Sequence, residues 1–230
     1  MKIDGVTRIC SFGDFDDVAF KVVWDHLHNY FTYLHEYAVP FSRADWFMNN
    51  LKAPGVKAAV WRWVQVLRET RIAGADVKVA YPEGAGSPFG LFLASKGVNL
   101  TASVGEDTSP GDVKLCRDKL DLQRLIIFEG ESGDAGNYDI VLLDRKFTER
   151  TKRSLSRWCS LLGEGGHVDC ALEVEVPEGF NGDFKGFWDS WCESLGVCRS
   201  TFLASHGKPV VFGDPETAHC YFHFKVVSDG

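Results

Sequence analysis

The stretch Val77-Lys78-Val79-Ala80-Tyr81-Pro82-Glu83-Gly84-Ala85-Gly86-Ser87-Pro88-Phe89-Gly90 decides how the rest of the chain is read. A short β-prone run enters a glycine-rich turn, and a helix-capable segment, residues 91–96, follows at once. Gly84, Gly86 and Gly90 let the backbone turn tightly and approach a ligand closely. Ser87 can cap the new helix, and Pro88 suits its first turn. A helix N-terminus aimed into such a turn offers free N–H groups and positive potential to a phosphate or carboxylate. The same turn also occurs in α/β proteins that hold no ligand there.

Downstream of this stretch strands and helices alternate. Strands are predicted at residues 76–81, 98–104, 125–128, 138–143 and 167–174, with helices at 113–120, 148–162 and 184–195. The run 138–143 is almost wholly apolar, as a strand buried on both faces should be. Two further strands, 197–204 and 219–227, have no helix between them and are expected to form an antiparallel edge hairpin. Alternating units of this kind predict a mainly parallel, seven-stranded sheet covered on both faces.

Upstream, a polar lead-in with one short strand reaches about Asp17. Apolar and aromatic residues then recur at helical spacing over 18–37, where Pro40 ends the run, and helices are also predicted over 42–51 and 56–70. Residues 1–73 are therefore expected to form a helical extension packed on an α/β domain spanning 74–230. The aromatic stripes of these helices suit core packing, with a protein interface through Trp46, Phe47, Trp61 and Trp63 as the alternative.

Composition narrows the classes further. The 230 residues carry a formal net charge of -7, which argues against an overall basic nucleic-acid binder but leaves room for a local basic groove. No apolar run is long enough to span a bilayer, and the acidic opening lacks a signal-peptide pattern, so a cytoplasmic protein is expected. Seven scattered cysteines without C-x-x-C spacing read as buried free thiols. His26, His28 and His35 lack acidic or cysteine partners at ligand spacing, so no metal is expected. The G-x-S-x-G elbow of serine hydrolases is absent, and G-A-G-S-P-F-G departs from the dinucleotide pattern G-x-G-x-x-G.

The order of the pieces resembles the S-adenosylmethionine-dependent methyltransferase fold. The resemblance rests on E-G-A-G-S-P-F-G after a strand, Y-D-I-V-L-L-D at a strand end and L-L-G-E-G-G-H-V before the fifth strand, and covers residues 76–227. Phe41-Ser42-Arg43-Ala44, with Asp214-Pro215-Glu216-Thr217-Ala218-His219-Cys220-Tyr221 ahead of the last strand, looks like the ribose 2′-O-methyltransferases of the FtsJ type. Viral RNA-cap enzymes belong to that group, and those of nidoviruses are similar in the Gly-Ala-Gly-Ser turn and closing hairpin. The resemblance implies S-adenosylmethionine as cofactor and RNA, not DNA, as partner.

The family's chemistry uses a Lys-Asp-Lys-Glu set, because a ribose hydroxyl is a poor nucleophile at neutral pH. A lysine with a lowered pKa orients or deprotonates it while the other members tune that lysine. Carried onto this chain, Asp144 and Glu216 take the family's acidic places. Glu83, Gly84, Ala85, Gly86, Ser87, Glu106 and Glu131 would hold the cofactor, while Arg145 and Lys146 would meet RNA phosphate. The fifth-strand lysine is missing, its register giving Cys170, Ala171 and Leu172. Phe47 and Met48 stand where the first lysine is sought, and Lys52 or Lys57 substitutes only if its helix turns it inward. A catalytically silent relative kept as a binding or assembly module, completed by a protein partner, is the alternative.

Overall fold

A computed structural model describes residues 2–36, 48–70, 76–105, 109–128, 138–195, 203–213 and 218–227. Strand β1 (Lys2–Ile9) and a 3-10 helix (Phe12–Asp16) lead into α1 (Val18–Glu36) and α2 (Pro54–Thr70). Strands and helices then alternate through β2 (Lys78–Tyr81), α3 (Pro88–Ser95), β3 (Asn99–Ser103), α4 (Pro110–Lys119), β4 (Leu125–Phe128) and β5 (Tyr138–Lys146). The series continues with α5 (Glu149–Cys159), β6 (Leu162–Glu175) and α6 (Phe184–Leu195). The short β7 (Leu203–Ala204) and the long β8 (His219–Val227) follow. Local chemistry sets several starts: Ser109 and Thr148 accept backbone N–H groups from Asp112 and Thr151 at the heads of α4 and α5.

The strands form one sheet in the order β4-β3-β2-β5-β6-β8-β1-β7. The first five positions in that order are parallel, β8 is antiparallel to both β6 and β1, and β7 is parallel to β1. The α/β class and mainly parallel sheet follow the sequence expectation. Two details differ. The sheet has eight strands, not seven, and β7 and β8 are not a hydrogen-bonded hairpin, because β1 lies between them. The cause is apolar: Ile3 and Ile9 are buried in the same cluster as Phe222, Phe224 and Val226. Gly5, at φ +74°, and a register shift between Asp4 and Arg8 break the alternation that would have marked β1 as an inner strand.

Two apolar layers flank the sheet. On one face α1, α2 and α3 pack over Val79, Tyr81, Leu142, Ala171 and Tyr221; on the other α5 and α6 cover Val141, Leu143, Cys170, Leu172 and Phe222. Helix α2 is buried all round from residue 58 to 66, so its side chains reach both the sheet and the outer helices. Cys10, Cys116, Cys170 and Cys220 are buried free thiols, with burial pushing Cys116 and Cys220 up to about 12. Among the described residues no helix is long and apolar enough to cross a membrane.

Strand order reverses between β2 and β5: the chain runs outward from β2 through β3 and β4, then returns to build β5 and β6 on the other side. In open α/β sheets the crevice beyond the strand ends at such a switch point is where ligands bind.

Candidate active site

A cavity of about 360 Å³ opens at this switch point, within the size range of small-ligand sites. Tyr81, Glu83, Ser87 and Pro88 line one side, Ala59, Arg62 and Trp63 of α2 a second, and Asp144, Glu173 and Tyr221 the sheet side.

The glycine-rich turn is shaped by its own hydrogen bonds. Gly84 N–H donates to Tyr81 O (2.9 Å), Ser87 N–H to Gly84 O (3.0 Å) and Ala85 N–H to Ser103 O (3.1 Å). A Cβ at Gly84 would overlap the Tyr81 ring, and one at Gly90 would overlap Gly84 O, which is why glycine is needed at both places. Glu83 sits at φ +59°, a corner that glycine usually takes. Its N–H donates to Ser103 Oγ (2.7 Å) and its carboxylate pairs with Arg145 (3.0 Å), and these two bonds hold the unfavourable backbone in place. Ser87 stands at the head of α3, but its hydroxyl makes no cap bond; it lies 3.3 Å from the Tyr81 hydroxyl.

Asp144 is the hub. Its Oδ2 accepts from Trp63 Nε1 (2.6 Å) and from the Tyr81 hydroxyl (2.8 Å), while Arg62 Nη1 lies 2.6 Å from Oδ1. Burial opposes the charge on Arg62, but Asp144, Tyr221, Tyr81 and Glu173 hold its pKa above the ordinary value. The guanidinium also lies 4.3 Å over the Tyr221 ring, and its buried Nε has no hydrogen-bond partner among the described residues. Burial, then the neighbouring carboxylates, push the Tyr81 and Tyr221 phenols far up, so both remain donors at neutral pH. Tyr221 donates to Glu173 Oε2 at 2.7 Å, and His219 Nδ1 stands 3.6 Å from Glu173 Oε1.

The structure brings Asp144, Glu83 and Ser87 to one cavity, with Gly84, Ala85 and Gly86 buried in the turn behind it. Arg145 faces inward, donating to Pro82 O (2.9 Å) and lying over Trp158, whereas Lys146 is half exposed and 3.7 Å from Glu175. Lys52 is exposed and Lys57 lies over the Phe15 ring; neither lines the cavity. Glu106, Glu131, Glu216 and the Phe41-to-Ala44 motif fall outside the described residues, as do Trp46 and Phe47. Trp61 and Trp63 are core residues.

Arg62, Trp63, Tyr81, Glu173 and Tyr221 were not singled out from sequence as site residues. One signal was available for Arg62: a charged side chain between two tryptophans in a helix otherwise apolar at that level. Glu173 and Tyr221 carried none, because they meet only through the register that pairs them across β6 and β8.

No family model and no curated protein matches the chain. Solved structures do. Burkholderia thailandensis 1,6-didemethyltoxoflavin-N1-methyltransferase, determined with 1,6-didemethyltoxoflavin and S-adenosylhomocysteine, is 14% identical with a TM-score of 0.50, over 84% of this chain and 90% of that one. Pyrococcus horikoshii TYW2, in complex with MeSAdo, is 12% identical over 68% of this chain, with a TM-score of 0.46. The chain spans 60% of the length of that TYW2 and 64% of a second P. horikoshii protein. At these identities the likeness speaks to the fold, which is the α/β methyltransferase-like arrangement described above.

Proposed function

We propose that the chain is an S-adenosylmethionine-dependent methyltransferase, and that its acceptor is a ribose 2′-hydroxyl of RNA. The observation carrying the first part is the cavity itself: it opens at the switch point, bounded by the glycine turn on one side and Asp144 on the other. The residues fit the methionine end of such a cofactor, with Glu83, Ser87 and the Gly84–Gly86 turn beside it and the unpartnered Arg62 Nε nearby. At the end of β3 the Ser103 hydroxyl is engaged with the Glu83 amide, and Glu106, expected from sequence to hold the cofactor, lies outside the described residues. When bound, the cofactor supplies an activated methyl group.

This chain's residues then position and exclude water. Trp63 and Tyr81 close the wall around Asp144, and Asp144 fixes Arg62 at the reacting end. The acceptor reading is supported by the resemblance, by Asp144 near the end of β5, and by Lys146 two residues further on, exposed to meet phosphate.

A second reading, a binding module without catalysis, is favoured by one observation: both Asp144 oxygens are approached by the chain's own donors, and among the described residues no lysine lines the cavity. Calorimetric titration with S-adenosylmethionine and S-adenosylhomocysteine separates the two. Binding is expected for the native chain and its loss is expected for Gly86→Arg, with thermal unfolding recorded to show that the variant folds. Methyl incorporation into capped RNA then tests the acceptor. Absence of heat at millimolar ligand removes the methyltransferase reading and directs the search to a protein partner.

A further inference from the structure

The charged groups around the cavity do not balance. Arg62 is committed to Asp144 at 2.6 Å, and Glu83 to Arg145 at 3.0 Å. Among the described residues Glu173 is the lining carboxylate without an arginine or lysine within ion-pair distance. Its side chain is 23% exposed, and it is held in place by the Tyr221 hydroxyl on Oε2, with His219 standing off Oε1. Tyr221 is itself fixed by Phe212, stacked at 4.9 Å, and by Arg62 over its ring. A carboxylate held in one orientation on the cavity wall, with no arginine or lysine beside it among the described residues, attracts a cationic ligand placed in that cavity.

From this we propose that Glu173 is the counter-charge for the sulfonium of the methyl donor, so that the site prefers the charged donor to its neutral-sulfur product. The proposal rests on the methyltransferase reading. It follows from position as well as charge. Asp144 pairs with Ala171 across β5 and β6, and Glu173 lies two residues further on, on the same face of the sheet and across the cavity from the glycine turn. A positive centre placed between the turn and the sheet wall meets Glu173 as the lining carboxylate that, among the described residues, has no arginine or lysine within ion-pair distance. The donor carries a carboxylate, an ammonium and a sulfonium, for a net charge of plus one. The demethylated product keeps the first two and is neutral overall. The surplus negative charge of the cavity therefore complements the donor and not the product, and it favours exchange of product for fresh donor after each turnover.

The test is calorimetric titration of the native chain and of Glu173→Gln with S-adenosylmethionine, S-adenosylhomocysteine and 5′-methylthioadenosine. Glutamine keeps the acceptor for the Tyr221 hydroxyl while removing the charge. The variant is expected to lose about tenfold in affinity for S-adenosylmethionine, the size of one partly screened charge–charge interaction, with the other two ligands unchanged. Glu173→Asp, which keeps the charge, is expected to retain the preference and guards against a variant that merely misfolds. Equal weakening of S-adenosylmethionine and S-adenosylhomocysteine would assign Glu173 to the amino group they share and overturn the sulfonium role. Unchanged affinity for all three overturns it outright. Failure of the native chain to bind any of them removes the methyl-donor reading instead, and this inference with it.

Discussion

Asp144 illustrates what a buried carboxylate does when it is surrounded by donors from three elements. It draws Arg62 and Trp63 of α2 and Tyr81 of β2 toward one point, so its loss is felt as an unpaired buried charge more than as a lost bond. Asp144→Ala is expected to lower stability by about 3–5 kcal/mol, because Arg62 would then be buried without its partner. Adding Arg62→Met to the same chain is expected to recover most of that loss, since an apolar side chain of similar volume needs no counter-charge. Urea denaturation midpoints of the single and double variants decide it; equal midpoints would mean that the unpaired Arg62 is not the source of the loss.

At the level of elements, the strands were readable from sequence where two-sided burial made them continuously apolar. Ile140, Val141, Leu142 and Leu143 of β5 are the clearest case. The glycine turn was readable because Gly84 and Gly90 answer steric demands of the backbone itself. Strand β1 was not readable as an inner strand, because the irregularity around Gly5 leaves three exposed positions in succession, Asp4, Gly5 and Val6, and hides the alternation. The candidate site was half legible. Asp144 and Glu83 sit at strand ends, which local pattern reveals, whereas Arg62, Glu173 and Tyr221 lie far apart in the chain and converge only through helix packing and register. Strand β1 should matter more to stability than its polar composition suggests. Ile9, 1% exposed, faces the Phe222 and Phe224 layer, and Ile9→Ala is expected to cost about 2–5 kcal/mol through the cavity it leaves. A thermal midpoint within a degree of the native chain would show that β1 is peripheral.

Over the whole molecule, pH acts through a buried polar cluster beneath the sheet face that carries α2. His223 Nε2 lies 2.9 Å from Asp169 Oδ1, and His167 Nε2 lies 4.0 Å from Asp169 Oδ2, with Lys225 and Asp4 also acting on His167. Burial holds the His167 pKa below its ordinary 6.5, outweighing the opposing pull of Asp169. The unfolded chain therefore takes up a proton at this residue before the folded chain does. Its contribution to stability is present above pH 6.5 and lost as pH falls from there toward the depressed folded value. His167→Gln is expected to flatten that slope in denaturation curves recorded across the window, and an unchanged slope would place the titration elsewhere.

The insertion of β1 between β7 and β8 also has a consequence in time. Ile9 pairs with Phe222, so β1 meets β8 only after every strand that lies between them in sequence has been made. At ribosomal rates that interval is on the order of 10 to 40 seconds. Until then Ile3 and Ile9 have no strand to cover them, and β6 offers an open edge where β8 will later lie. Closure of this sheet is thus a long-range event, and this part of the nascent chain is most exposed to aggregation just before β8 emerges.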